Sequence, residues 1–158
     1  MNNKLTSTNV SFDYLKHSPD FLNLVLNNIC SCVLMLNKDM ELQAFNDALK
    51  NIFSNKKDED LLYIRCGEAI GCAYVVEEVG QCGQTPHCKH CSLRLSALES
   101  YINKKTIYKE TISREFYRTD NEKVMKHLLF STRPFYFENE YYIILIIEDI
   151  TNCIDQQT

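Results

Sequence analysis

Four cysteines, Cys72, Cys82, Cys88 and Cys91, have the types and spacing of ligands to a metal centre. Thiolates are soft donors that select zinc, copper(I) or iron–sulfur clusters. Cys88 and Cys91 stand three apart, so on a helix they share a face and both sulfurs can reach one guest. Cys72 and Cys82 bring two further sulfurs from earlier segments. Nine, five and two residues separate the four. That spacing differs from the two close pairs of a zinc finger and from the compact ferredoxin runs. Five of the eight cysteines, Cys66 included, fall between residues 66 and 91, and all four glycines (Gly67, Gly71, Gly80 and Gly83) lie in the same stretch. Cysteine supplies ligands, and glycine lets the backbone close tightly around something.

The neighbours of this block carry alternatives. Cys66 reads as a spare ligand, a redox-active thiol or packing. His87 and His90 flank Cys88 and could each replace a cysteine, although histidines beside a metal site more often stay exposed or hydrogen-bond to its ligands. Lys89 and Arg94 could offset the negative charge of a tetrathiolate centre, and a solvated helix face explains them equally well. Cys30, Cys32 and Cys153 read as small packing hydrophobes, with Cys30 and Cys32 alternating with Leu34 and Leu36 on one strand face. No nucleophile–base pair and no substrate-site motif stand out, so the expectation is a protein that is not an enzyme.

Composition sets the frame. The chain has 158 residues, 45% hydrophobic and 24% charged, as in an ordinary globular domain. Its net charge of -4, without a basic stretch, speaks against nucleic acid as a partner, because such binding draws on counterion release. The N-terminal residues lack the apolar core of a signal peptide. The longest strongly apolar run, Tyr141 to Ile147, falls well short of the about 20 residues that cross a bilayer. Eight cysteines without an export signal point to a reducing, cytoplasmic setting in which thiols stay free unless they meet a metal.

The elements that must position the cysteines follow from pattern. Residues 1–17 read as a flexible leader, 18–152 as one domain and 153–158 as a tail. Ser18-Pro19 is an N-cap and first-turn proline, opening an amphipathic helix to about Asn28 with Phe21, Leu22, Val25 and Ile29 on one face. Cys32–Leu36 is a buried strand, Asn37-Lys38-Asp39 a turn, and Met40–Phe45 the returning strand. Asn46-Asp47-Ala48 opens a short helix through Phe53. Residues 69–79, read as one helix, put Ala69, Cys72, Val75, Val76 and Val79 on a common face. Gly80–Pro86 must be irregular. From Cys88 onward, Cys88, Cys91, Leu95, Leu98 and Ile102 alternate three-four as one helical face. Three strands end the chain, Thr106–Tyr117, Val124–Tyr136 and Tyr141–Ile150, with Glu138-Asn139 as a hairpin tip. Arg133-Pro134 marks a strand irregularity near a sheet edge.

This order, with particular residues, resembles a PAS domain. Val33 to Asn37, then Lys38 to Phe45 and Asn46-Asp47-Ala48, look like the first two PAS strands and the start of the following helix. Ile147-Glu148-Asp149-Ile150-Thr151 resembles the usual close of the final PAS strand. Gly67-Glu68-Ala69-Ile70-Gly71-Cys72, Cys82-Gly83 and Cys88-x-x-Cys91 are similar to a cysteine-rich subgroup of bacterial PAS sensors. The resemblance covers roughly residues 20–152. It implies an α+β fold with a five-stranded antiparallel sheet, helices on one face and an N-terminal amphipathic helix. It also implies an iron–sulfur cluster, 4Fe–4S by preference, in a redox or gas (oxygen or nitric oxide) sensor, with structural zinc or an electron-transfer role as alternatives. A homodimer and a separate histidine kinase or other output protein are the expected partners, with neither nucleic acid nor membrane. The chain ends seven residues after Thr151, which fits either a stand-alone sensor or part of a longer protein. The Asn-Cys-Arg-Phe signature of flavin light sensors is absent.

Overall fold

The computed structural model describes residues 17–53, 61–78, 81–118 and 121–155. Residues 1–16 of the expected leader, the connector 54–60, Val79, Gly80 and the last three residues of the expected tail lie outside that set. Five strands form one antiparallel sheet: β1 (Cys32–Leu36), β2 (Leu42–Phe45), β3 (Ile107–Tyr117), β4 (Lys123–Phe137) and β5 (Glu140–Asp149), in the order β2-β1-β5-β4-β3. β1 and β5, the most uniformly apolar strands, lie side by side in the middle, with Leu34 opposite Leu145 and Leu36 opposite Ile143. Their inward side chains, Cys32, Leu34, Leu36, Ile143, Leu145 and Ile147, are fully buried. Burying them against helices is the main apolar gain of the fold.

The helices are α1 (Pro19–Asn28), α2 (Ala48–Phe53), α3 (Cys66–Ala69), α4 (Ala73–Glu77), α5 (Ser92–Asn103) and α6 (Thr151–Asp155), with a 3₁₀ turn at Pro86–His90 before α5, and the four from α2 to α5 carry buried side chains. α6 starts within the expected domain and runs into residues expected to form the tail. α5 lies across β3, β4 and β5, and the buried pair Ser100 and Thr132 joins it to β4 through hydroxyls 2.6 Å apart. Thr132 also donates to the Ser96 carbonyl at 3.2 Å. Phe53 of α2 meets Phe116 of β3 edge-on, ring centroids 5.2 Å apart.

Most expected elements appear at or within two residues of their predicted bounds. Ser18 caps α1 by accepting from the Phe21 N–H. Glu138 and Asn139 both take the left-handed backbone that a tight hairpin needs. Pro134 lies within β4 without a register break against β5. β3 pairs with β4 only as far as Thr132, so the proline ring stands where β4 is locally an edge and no partner needs its missing N–H. The expected edge is there, and the expected irregularity is not.

Two helical readings differ from the structure. The predicted helix 69–79 is broken into α3 and α4 by Gly71, whose φ of 75° ends the first piece. Cys72 caps the second piece, and Val76, expected inside, is exposed. The predicted face from Cys88 through Ile102 is also corrected. Cys88 sits in the 3₁₀ turn and Cys91 caps α5, so the helix starts in a different phase. Leu93, Ala97 and Ser100 face the core, whereas Leu95 and Ile102 are exposed. Of the three packing cysteines, only Cys32 is buried; Cys30 precedes the strand and Cys153 lies in α6, both exposed.

α1 has no buried residue and is tied to the turn after β2 by Asn46 and by the Asp47 N–H, which donates to Asn27 Oδ1 at 3.1 Å. The buried Asn46 amide donates to the Leu26 carbonyl at 2.7 Å and the Ser31 carbonyl at 2.9 Å, and accepts from the Val33 N–H at 2.9 Å. Each of these groups loses a partner when the amide is removed. Asn46→Ala is expected to lower stability by about 2–4 kcal/mol in urea unfolding.

Asp149 closes β5 against α6. Burial pushes its carboxyl up, but Lys126, 2.8 Å away, and the hydroxyl and N–H of Thr151 outweigh this and hold it below the usual 3.8. A depressed folded pKa contributes stability above the unfolded value and loses it as pH falls through the folded one. Asp149→Asn should therefore cost about 1 kcal/mol at neutral pH. The difference from wild type should shrink below pH 3.8, as read from urea midpoints across an acid series.

Candidate metal centre

The site is assembled from five segments. The carbonyl of Met40 accepts the Cys66 N–H at 2.9 Å, fixing the start of α3 beside the β1–β2 turn. Cys72, at the α3–α4 junction, forms an isolated antiparallel bridge with Phe116 of β3, and the Gly71 carbonyl accepts the Tyr117 N–H at 2.8 Å. Cys82 lies in the following loop, where its carbonyl accepts from Arg65 Nη1 at 2.8 Å. The 3₁₀ turn carries Cys88, and Cys91 ends it at the head of α5.

These segments enclose a cavity of about 40 Å³. Cys72, Cys82, Cys88 and Cys91, the four cysteines expected together, all line it. So does Cys66, which was held apart on sequence grounds. Leu36, Met40, Ile70 and Leu145 supply apolar walls. Cys66, Cys72, Cys88 and Cys91 are each less than a tenth exposed, and Cys82 is half-buried. Among the described residues, no three histidine, cysteine, aspartate or glutamate side chains form a group able to hold a single metal ion. The sulfurs surround a space instead of meeting at a point.

Two glycines make this arrangement possible. A Cβ on Gly67 would stand 2.7 Å from Cys82 Sγ, so only a residue without a side chain lets that sulfur lie against the backbone. Gly83 has a φ of 95°, and a Cβ there would meet Arg94 Nε at 2.8 Å. The Arg94 guanidinium therefore lies over the loop, half-buried at the cavity wall.

The sulfurs are not electrostatically alike. Burial pushes the Cys88 thiol up, but a hydrogen bond with Thr85 Oγ1 at 3.1 Å, the Gly83 N–H at 3.1 Å and the charge of Arg94 outweigh it, leaving its pKa below the usual value. Cys82 goes the other way: burial raises it to about 11 although the Gly67 N–H supports the thiolate. Burial drives Cys66 well above its ordinary value, and thiolate charge at Cys82, Cys32, Cys91 and Cys72 would raise it further. Arg114 of β3 reaches the opposite edge, with Nη1 3.2 Å from Cys91 Sγ and 3.9 Å from Cys72 Sγ. Soft sulfur donors, hydrogen-bond donors aimed at sulfur and two guanidinium groups fit an anionic thiolate centre.

Lys89, His87 and His90 are exposed and do not line the cavity. His87 stacks on Tyr74 at 3.8 Å and pairs with Glu78 at 3.0 Å. Arg114 was missed in the sequence because it sits in a strand of poor alternation. Its one visible sign was a basic residue two positions from Phe116 and Ile112 on the inward side.

No family model and no curated protein matches the sequence. Solved structures do match. A PAS domain from Colwellia psychrerythraea is similar at a TM-score of 0.56 and 12% identity, over 89% of this chain and 99% of that one. A PAS domain from a two-component sensor histidine kinase matches at a TM-score of 0.53 and 12% identity, over 82% of this chain and 94% of that one. The fold is that of a PAS domain. An RNA-binding light-oxygen-voltage receptor contains a similar domain, at a TM-score of 0.59 and 14% identity, over 90% of this chain and 35% of the receptor. Among the described residues of this PAS-fold chain, no helix is long and apolar enough to cross a membrane.

Gly67→Ala tests the tight contact at the cavity floor. The added methyl must displace the Cys82 side chain, and an overpacked site costs about 1–3 kcal/mol. The expected outcome is a drop of that size in thermal or urea stability, with faster alkylation of Cys82 than in wild type.

Proposed function

We propose that this PAS-fold domain is a redox or gas sensor, responding to oxygen or nitric oxide, that holds an iron–sulfur cluster on Cys72, Cys82, Cys88 and Cys91. The single observation that carries the reading is the gathering of these four side chains, from separate segments, around one buried cavity. A bound 4Fe–4S cluster would supply a one-electron centre open to attack by oxygen and nitric oxide. The chain's own contribution is to bind, orient and shield. Thr85 and Gly83 favour the thiolate of Cys88, the guanidinium of Arg114 faces Cys91 and Cys72, and apolar side chains form the walls.

Sensing follows from what the cysteines tie together. Structural metal sites are worth about 10–16 kcal/mol in small domains, comparable with a domain's whole stability of about 5–15 kcal/mol. Gaining or losing such a site would reorganise α3, α4, the loop and the head of α5. Cys72 is bridged to Phe116, so the change would pass directly into β3 and the sheet. Leu22, Leu24 and Val25 of α1 and Ile29 just after it are exposed, and this is where we place contacts with a second copy. One matched structure is a PAS domain of a sensor histidine kinase, and the receiver we place here is a separate histidine kinase or other output protein. We place this non-catalytic sensor in the cytoplasm, apart from membrane and nucleic acid.

Structural zinc in a dimerisation module is the second reading. Zinc would draw four sulfurs to about 2.3 Å from one point, and the same four cysteines could supply them. We put the cluster first because the spacing of nine, five and two residues departs from the two close pairs of a zinc finger. An electron carrier would use the same ligands.

The test is elemental analysis of protein purified without oxygen. About four iron atoms and four acid-labile sulfides per chain are expected, while one zinc per chain would overturn the cluster. Cys82→Ser and Cys91→Ser should abolish loading, and Cys153→Ser should leave it intact; equal loading in all three would refute the ligand set. Bleaching in air with a change of oligomeric state separates sensing from electron transfer.

A further inference from the structure

Arg114 is placed unusually for a strand arginine. It projects from the inward side of β3 between Ile112 and Phe116, and all three line the cysteine cavity. Its Nη1 lies 3.2 Å from Cys91 Sγ and 3.9 Å from Cys72 Sγ. Its guanidinium carbon lies 5.1 Å from the centroid of the Tyr74 ring. Tyr74 is in turn stacked on His87 at an interplanar angle of 10°, and His87 is anchored to Glu78. The guanidinium is thus held between a braced aromatic ring and two sulfurs that come from different segments. Arg94, the other cation at the cavity, packs over the Gly83 backbone.

We infer that Arg114 is the counter-ion of the cysteine centre, and that it sets both the centre's affinity for metal and its affinity for an electron. The physical ground is charge. Four thiolates around a divalent cation carry two net negative charges, and a guanidinium at 3.2 Å from one buried sulfur stabilises that excess. One-electron reduction adds a further negative charge; no bond need form or break, and the electron comes from a low-potential donor such as dithionite. The more negative state gains more from the same cation, so Arg114 raises the reduction potential. The electron-affinity half rests on the cluster reading above, whereas the metal-affinity half needs only thiolates and a soft cation.

The test pairs two readouts on the full chain. Metal-free reduced protein is titrated with cadmium alone, followed by its thiolate charge-transfer absorption. Anaerobically loaded protein is titrated with dithionite for its midpoint potential. Arg114→Gln should weaken cadmium binding about tenfold and shift the reduction equilibrium about tenfold toward the oxidised state, about 59 mV for one electron. Arg114→Lys keeps the charge but reaches a single sulfur, and should lose about threefold in cadmium affinity. Arg114→Met replaces the glutamine variant if that one does not fold, and the lysine variant decides if neither neutral one does. Cadmium affinity equal to wild type in the variant tested overturns the proposal, and so does an unchanged potential in a loaded neutral variant. A wild-type chain that binds cadmium but never loads iron and sulfide overturns the cluster reading alone, and the cadmium comparison still decides Arg114.

Discussion

Thiols crowded around a small water-poor cavity are an electrostatic problem, and the rest of this molecule is arranged around it. Burial favours the protonated thiol, and with the charge of neighbouring thiolates it raises Cys66 and Cys82 above their ordinary values. Were packing their only task, leucine or valine would fill the space with more apolar contact and no reactive sulfur. Instead the structure aims positive charge and N–H groups at the sulfurs: Arg114 at Cys91 and Cys72, the Gly83 N–H at Cys88, with Arg94 over the loop. Donors placed in this way favour thiolate, the form that binds metal. On these grounds we propose that the cysteine cavity is a ligand cage inside a PAS-fold scaffold.

The scaffold gives the cage its position and its outlet. The central strands β1 and β5 supply the apolar platform, and α5 is fastened to β4 by the Ser100–Thr132 pair. That fixes Cys91, the residue capping α5, relative to the sheet. Cys72 is fixed independently by its bridge to Phe116 on β3. Arg114, two residues earlier on the same strand, spans both attachments. Any change in the spacing of those sulfurs would act on an edge strand of a sheet whose other members are firmly packed.

Much of this was legible in the sequence, for identifiable reasons. The strands were readable because β1 and β5 are short apolar runs bounded by turn residues, and the Glu138-Asn139 tip has the residues that tolerate left-handed backbone. The gathering of Cys72, Cys82, Cys88 and Cys91 was readable because ligands and glycines are concentrated in one stretch. The helical phases were not. A glycine at residue 71 and a 3₁₀ turn ending at His90 each reset the register, so Val76, Leu95 and Ile102 went to solvent instead of the core. Cys66 joins the cage because α3 begins one residue after the bridge between Arg65 and Glu41, a tertiary contact that no local pattern announces. Arg114 was hidden for a similar reason: its partners lie 23 and 42 residues away in the chain.

The claim that these thiols share a metal guest is tested most directly by a cysteine-resolved alkylation footprint, with and without an iron chelator, on protein kept free of oxygen. The account predicts that in untreated protein Cys30 and Cys153 alone react readily, and that chelation exposes Cys72, Cys82, Cys88 and Cys91 together. Identical patterns before and after chelation, with the four reacting independently of one another, would contradict it.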